Sequence, residues 1–300
     1  ADLYIAHNLQ ALPAAYRAAH RHDALLGFDA EDFHRGEFPA HESSQRKRLT
    51  EQVEAEYLPR CGYMTAASEG IAHAYADALN IPVPDVVLNT FPKSEREGHT
   101  PREELRAEKK EDTISLYWYS QTIGPDRGLQ DVLRALPGLD EQVHLTLRGQ
   151  WADGFESTFR HLARELGVSE QIRVLPPAPP EQLVERAGQH DIGLALEQGH
   201  TPNRDLCVTN KMLVYLLAGL PVIATDTTGQ RAICETLPQA TKLVPVQDDG
   251  AIRAAVRSLT DTHNALAEAK AAAYEAGEER YNWEMEQEKI VSAVRNTLHR

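Results

Sequence analysis

Thr209-Asn210-Lys211 opens an otherwise apolar run, Met212 to Leu217, and Gly219 closes it. A helix buried almost all round, with a polar and lysine-bearing start, suits an anion. Its first amides lack helical partners, its dipole is positive at that end, and a lysine adds a full charge. The plainer reading is that Asn210 and Lys211 only cap and solvate the helix. A second stretch, Ser120 to Leu136, reads as strand end, Gly124-Pro125 turn, Asp126-Arg127-Gly128, then helix. That order lines a pocket with amides, and Arg127 could grip phosphate oxygens through paired hydrogen bonds. The loop is neither GxGxxG nor a P-loop, so ordinary nucleotide motifs do not apply.

Such residues act together only if strands deliver them to one edge. The first part supplies short apolar runs at Asp2–Ala6, Ala24–Ala30, Cys61–Ala67 and Asp85–Asn89. Helical patterns separate them, with Asn8 and Ser68 as N-caps and a charged helix over Ser43 to Tyr57. Lys93–Asp112 is almost wholly polar and reads as a linker. A second alternation follows, with strands expected at Thr113–Tyr119, Val143–Gly149, Ile172–Pro176, Asp191–Glu197, Pro221–Thr225 and Thr241–Val246. The tail from Asp249 is mostly helical, with a break near Glu278–Glu286. The pattern predicts an α/β protein of two doubly wound parallel sheets, in which ligands sit beyond the carboxyl ends of strands.

Bulk properties narrow the function. The net charge of −14 argues against a nucleic-acid partner. Three cysteines, with no CxxC spacing, suggest reduced thiols rather than disulfides or zinc. No apolar run is long enough for a membrane span and no signal peptide is visible, so the expected location is the cytoplasm. The basic patch Gln45–Arg48 could touch the inner face of a membrane or an acceptor, although a solvated helix face explains it as well.

The order of several stretches resembles a GT-B glycosyltransferase of the family 4 type. These are GPDRGLQDVLRAL (Gly124–Leu136), LTLRGQW (Leu145–Trp151), NKMLVYLLAGLPVIATDTTG (Asn210–Gly229) and YNWE (Tyr281–Glu284). In the first half, ADLYIAHN, FDAED, TAASEGIA and VVLNTFP are similar to the family's elements in the same order. The resemblance implies two Rossmann-like domains facing a cleft: an incomplete first domain at 1–92, a linker at 93–112, a nucleotide-sugar domain at 113–277, and a last helix, 278–300, crossing back. It implies a nucleotide-sugar donor, a sugar, lipid-linked or small-molecule acceptor, and no metal. It also assigns residues: His7 faces the reaction centre, and Arg127 and Lys211 meet the leaving diphosphate. Gly124, Gly128, Arg148, Glu197, Asp205, Thr209, Asn210, Thr227 and Thr228 belong to the donor site.

The departures matter as much. Gln121 and Thr122 stand where the family often carries Gly-Arg. Of the family's paired glutamates, the one that grips the ribose falls on Val214 and the other on Leu206. Asp226, Thr227 or Thr228 could hold the ribose instead. Nothing before Asp2 supplies the family's Gly-rich first element. The first sheet is therefore expected to show uncovered apolar surface near Asp2–Ala6 and Ala24–Asp29, to be met by a second copy or another partner chain.

Overall fold

The computed structural model describes residues 1–39, 41–98 and 113–299, apart from the side chain of His263. Two parallel sheets organise it. The first runs in the order β1 (Leu3–Ala6), β2 (Leu25–Ala30), β3 (Tyr63–Ala66), β4 (Asp85–Val86). Three helices return the chain: α1 (Leu12–His22), α2 (Gln45–Tyr57) and α3 (Glu69–Leu79). Leu26, Phe28 and Ala66 form a core with Leu12, Ile71 and Tyr75. The opposite face carries Ile5, Gly27 and Tyr63, packed so closely that a Cβ on Gly27 would lie 2.9 Å from the Tyr63 ring. The expected apolar exposure is there: Ile5 is 44% and Leu25 39% exposed.

The second sheet contains β5 (Ile114–Ile123), β6 (Val143–Trp151), β7 (Ile172–Leu175), β8 (Ile192–Ala195), β9 (Val222–Thr225) and β10 (Thr241–Val244). Its spatial order is β10-β9-β8-β5-β6-β7. The chain steps outward through β6 and β7, then returns to lay β8 on the other side of β5. The reversal falls between β5 and β8, where an open α/β sheet leaves a crevice. Every residue of β8 and β9 is buried, which explains their apolar sequence, broken only at Thr225.

The connecting helices are α4 (Leu129–Ala135), α5 (Phe155–Glu165), α6 (Leu183–Ala187), α7 (Pro202–Leu206), α8 (Asn210–Ala218), α9 (Thr228–Cys234), α10 (Asp249–Thr260) and α11 (His263–Glu279). Met212 to Leu217 of α8 are all buried, and Gly219 ends the helix in the left-handed region at φ 77°. After a break capped by Asn282, α12 (Trp283–Leu298) leaves this lobe and lies against β3 and β4.

The two crossings between lobes run side by side. Trp283 N donates to Phe91 O at 2.9 Å, and Leu88 N to Glu286 Oε2 at 2.9 Å. This explains why only Asp85–Val86 of the expected strand Asp85–Asn89 pairs: the backbone beyond Val87 is committed to the crossing. Lys93–Glu97 of the expected linker forms a docked turn, with Lys93 and Arg96 on Glu278 and the Arg96 guanidinium 4.1 Å from the Tyr274 ring centre. Residues 99–112 of that linker lie outside the described residues.

Candidate active site

A cavity of about 530 Å³ opens at the carboxyl ends of β5 and β8. Arg127, Arg148, Glu197, Thr209, Asn210 and Lys211 line it, so the reversal gathers six of the residues singled out in the sequence. Thr209 occupies the N-cap position of α8 but makes no side-chain capping bond. Its hydroxyl donates instead to Glu197 Oε1 at 3.2 Å. The first-turn amides of α8 are thus left without a side-chain cap, at the positive end of the helix.

Lys211 Nζ donates to the same Glu197 oxygen at 3.0 Å and lies 5.6 Å from the Trp118 ring centre. Both side chains are nearly buried, at 12% and 10% exposure. Arg204 Nη1 stands 3.6 Å from the other carboxylate oxygen. Burial pushes the Glu197 carboxyl up, but the Lys211 ammonium and its hydrogen bond, with help from Arg204 and Thr209, outweigh it and hold the group below the ordinary carboxylate value.

Arg127 reaches the cavity from the β5–α4 turn and has no ion pair or hydrogen bond among the described residues. Gly128 makes that turn possible. It has φ 71°, and a Cβ there would lie 2.8 Å from Leu196 and 2.7 Å from Gln198 at the end of β8. Gly124 is buried in the same turn, away from the cavity wall. Arg148 is fully engaged from beneath: Nε donates to Tyr117 Oη at 2.8 Å and Nη1 to Pro176 O at 2.9 Å. It fixes the loop after β7, whose Pro177, Ala178 and Pro180 form an apolar wall with Leu183.

The remaining singled-out residues lie elsewhere. Thr228 N and Oγ1 donate to the two oxygens of Asp205 at 3.2 and 2.6 Å, which caps α9, and neither residue lines the cavity. The Thr227 hydroxyl is buried without a partner among the described residues, also outside the cavity. Asp226 is taken by Arg231. His7 lines a separate pocket of about 280 Å³ on the first lobe, with Asp29, Glu31 and Trp283. Its Nδ1 lies 2.8 Å from Asp29 and its Nε2 3.4 Å from Glu31, and the side chain is 65% exposed. Val214 is fully buried in the apolar cluster around α8, so the position carries packing. Sequence reasoning did not single out Phe91, Tyr119, Ser120 or the wall after β7, which the cavity also uses. For Tyr119 and Ser120 the available signal was the end of the expected strand Thr113–Tyr119, and for the wall the end of Ile172–Pro176; Phe91, beyond β4, had none of this kind. Among the described residues no group of three or more His, Cys, Asp or Glu side chains could hold a metal ion. No described helix is long and apolar enough to cross a membrane.

No family model and no curated protein sequence matches the chain. Solved structures do. HepE of Anabaena, determined in complex with UDP, aligns over 98% of this chain and 79% of its own at 16% identity and TM-score 0.79. Sucrose-phosphate synthase from Thermosynechococcus elongatus aligns over 99% of this chain and 74% of its own at 15% identity and TM-score 0.77. WaaG, a glycosyltransferase involved in lipopolysaccharide biosynthesis, aligns over 96% and 83% at 15% identity and TM-score 0.65.

The fold is GT-B. In this GT-B chain the cation-lined cavity belongs to the second lobe, and the His7 pocket lies at the carboxyl rim of the first. Between them, α7 reaches from the second lobe into the first. Asn203 Oδ1 accepts from Phe33 N at 2.7 Å while its Nδ2 donates to Asp32 Oδ1 at 2.7 Å. Ser68 Oγ donates to Leu206 O at 2.7 Å, and Leu206 and Cys207 pack on the first lobe's core.

Proposed function

We propose that the chain is a glycosyltransferase that moves a sugar from a nucleotide-sugar donor to a hydroxyl acceptor, in the manner of the family 4 type. The observation that carries this reading is the convergence on one cavity at the sheet reversal of a guanidinium with no partner among the described residues (Arg127), a nearly buried ammonium (Lys211) and a helix start without a side-chain cap. That set fits a diphosphate. The apolar wall of Pro177, Ala178, Pro180 and Leu183 offers a dry surface to the base. In the reaction the bond from the sugar's anomeric carbon to the diphosphate oxygen breaks. The acceptor oxygen bonds to that carbon, and its proton passes to the departing phosphate, a course that retains configuration. Arg127, Lys211 and the α8 dipole stabilise the charge that grows on the leaving group, so the reading asks for no metal. The acceptor would sit on the first lobe near His7. Support comes from HepE, which shares the fold and has been determined with both UDP and UDP-glucose.

A second reading is a GT-B module that binds without turnover. The buried Val214 and the pairing of Lys211 with Glu197 favour it. Titration calorimetry with UDP, GDP and ADP is the test. Binding of at least one is expected, and binding of none would remove the donor site. Release of sugar from a sugar nucleotide would exclude the second reading.

A further inference from the structure

We propose that Glu197 is a positioning residue that pairs with Lys211 and passes to Arg204 when a diphosphate takes the lysine. The proposal rests on the donor site described above and adds to it a coupling between donor binding and the first lobe.

The Glu197 carboxylate is unevenly used. Oε1 accepts from both Lys211 and Thr209, at 3.0 and 3.2 Å. Among the described residues Oε2 accepts no hydrogen bond; Arg204 Nη1 stands beside it at 3.6 Å, an ion pair too long for one. Glu197 is also the only carboxylate among the described residues that line the cavity. Paired this way, Lys211 and Glu197 nearly cancel, and an entering diphosphate must compete with the carboxylate for Nζ. Success would strand a nearly buried anion, which is costly unless another cation takes it. Arg204 is placed to do so. Its side chain is 41% exposed and has no other ion pair or hydrogen bond among the described residues, and closing the gap to Oε2 completes a charge-assisted bond.

Arg204 sits in α7, next to Asn203 with its two bonds to Asp32 and Phe33. Glu197 and Thr209 bracket this segment in the chain, and Glu197 touches Thr209 directly. Drawing Arg204 onto Glu197 therefore pulls the segment that holds the first lobe. The order of events is diphosphate to Lys211, Glu197 to Arg204, and α7 to the lobe that would carry the acceptor.

Trp118 supplies a readout, because Lys211 lies over its ring. The experiment uses the full chain with Trp151→Phe and Trp283→Phe, leaving Trp118 as the sole tryptophan, excited selectively over tyrosine and titrated with inorganic pyrophosphate and separately with UDP. Three results are expected. Each probe changes Trp118 emission. Glu197→Gln moves emission of the empty protein toward the bound value and tightens binding by roughly three- to tenfold, since the competing anion is gone. Arg204→Ala weakens binding by roughly two- to fivefold, the span of a half-exposed ion pair, and this loss vanishes when Glu197→Gln is present. Weaker binding in Glu197→Gln would make the glutamate a support for Lys211 and overturn the exchange. An equal Arg204→Ala loss in both backgrounds would reduce Arg204 to a distant charge, with the same consequence. Arg204→Ala alters a side chain outside the core, so the cycle keeps one well-folded arm even where Glu197→Gln loses stability. If neither probe binds the parent, the donor site falls together with the exchange; binding without the coupling removes the exchange alone.

Discussion

The two sheets are assembled from the same strand-helix units, yet only one reverses direction. In the first, each crossing steps the same way, from β1 to β4. Right-handed crossovers that keep one direction place their helices on one face. That leaves the other face to α12 and solvent, with Ile5 and Leu25 exposed. In the second sheet the path turns back at β8, helices cover both faces, and a crevice opens where the path divides. The cations collect in that crevice because the loops after β5 and β8 and the start of α8 all meet there. The rim of the first sheet instead gathers His7, Asp29 and Glu31 in an open, acidic setting. A reversal thus does two jobs at once, closing a core and opening a site.

The largest expected effect tests the difference in burial. Val214→Glu should cost roughly 3 kcal/mol or more, because it drives an unpaired carboxylate into a closed apolar cluster. Ile5→Glu on the first sheet should stay within about 0.5 kcal/mol. Urea midpoints decide, and a comparable loss at Ile5 would mean that its face is covered in solution.

Next come the cavity cations. Arg127→Ala should lose roughly 1.5–3 kcal/mol of transition-state stabilisation, read from kcat/KM, without a change in melting temperature. Lys211→Ala should lose as much and also melt earlier, because nearly buried Glu197 loses its closest partner. Equal melting of the two variants would argue against the ion pair.

A smaller effect concerns acid. The folded Glu197 carboxyl lies below its ordinary 4.5, so its contribution to stability is complete above that pH and is lost as the pH falls through the folded value. Unfolding free energies of Glu197→Gln should therefore run flatter than the parent's below about pH 4.5. A parallel decline would move the acid sensitivity elsewhere.

The smallest stability effect belongs to His7→Ala, within about 0.5 kcal/mol, since the side chain is mostly exposed. Nucleotide affinity should not change, whereas transfer to an acceptor should fall. A drop in UDP affinity would join the two pockets into one site.

The alternation of strands and helices was legible in the sequence because each apolar run is bounded by polar caps and turns. Gly219 and the buried face of α8 could be read from residue type alone. The strand order could not, since the jump from β7 back past β5 leaves no local mark. For the same reason the sequence could suggest that Thr209 to Lys211 meets an anion but not that Thr209 would give its hydroxyl to Glu197. The Thr227, Thr228 and Asp205 group was expected at the donor, and hydrogen bonding at the start of α9 claims Asp205 and Thr228 instead. The docking of α7 on the first lobe was equally hidden: Asn203 finds Asp32 and Phe33 from far along the chain.

The paired crossings also limit how the molecule can move. Phe91 and Trp283 are bonded to one another, and Leu88 to Glu286, so the outward and returning chains act as a single pin. The docking of α7 through Asn203 and Leu206 is a second tie at another place, and two separated ties leave little freedom for one lobe to turn or slide against the other. Phe91 lines the cavity and is bonded to Trp283, so that edge of the site is anchored to the returning chain.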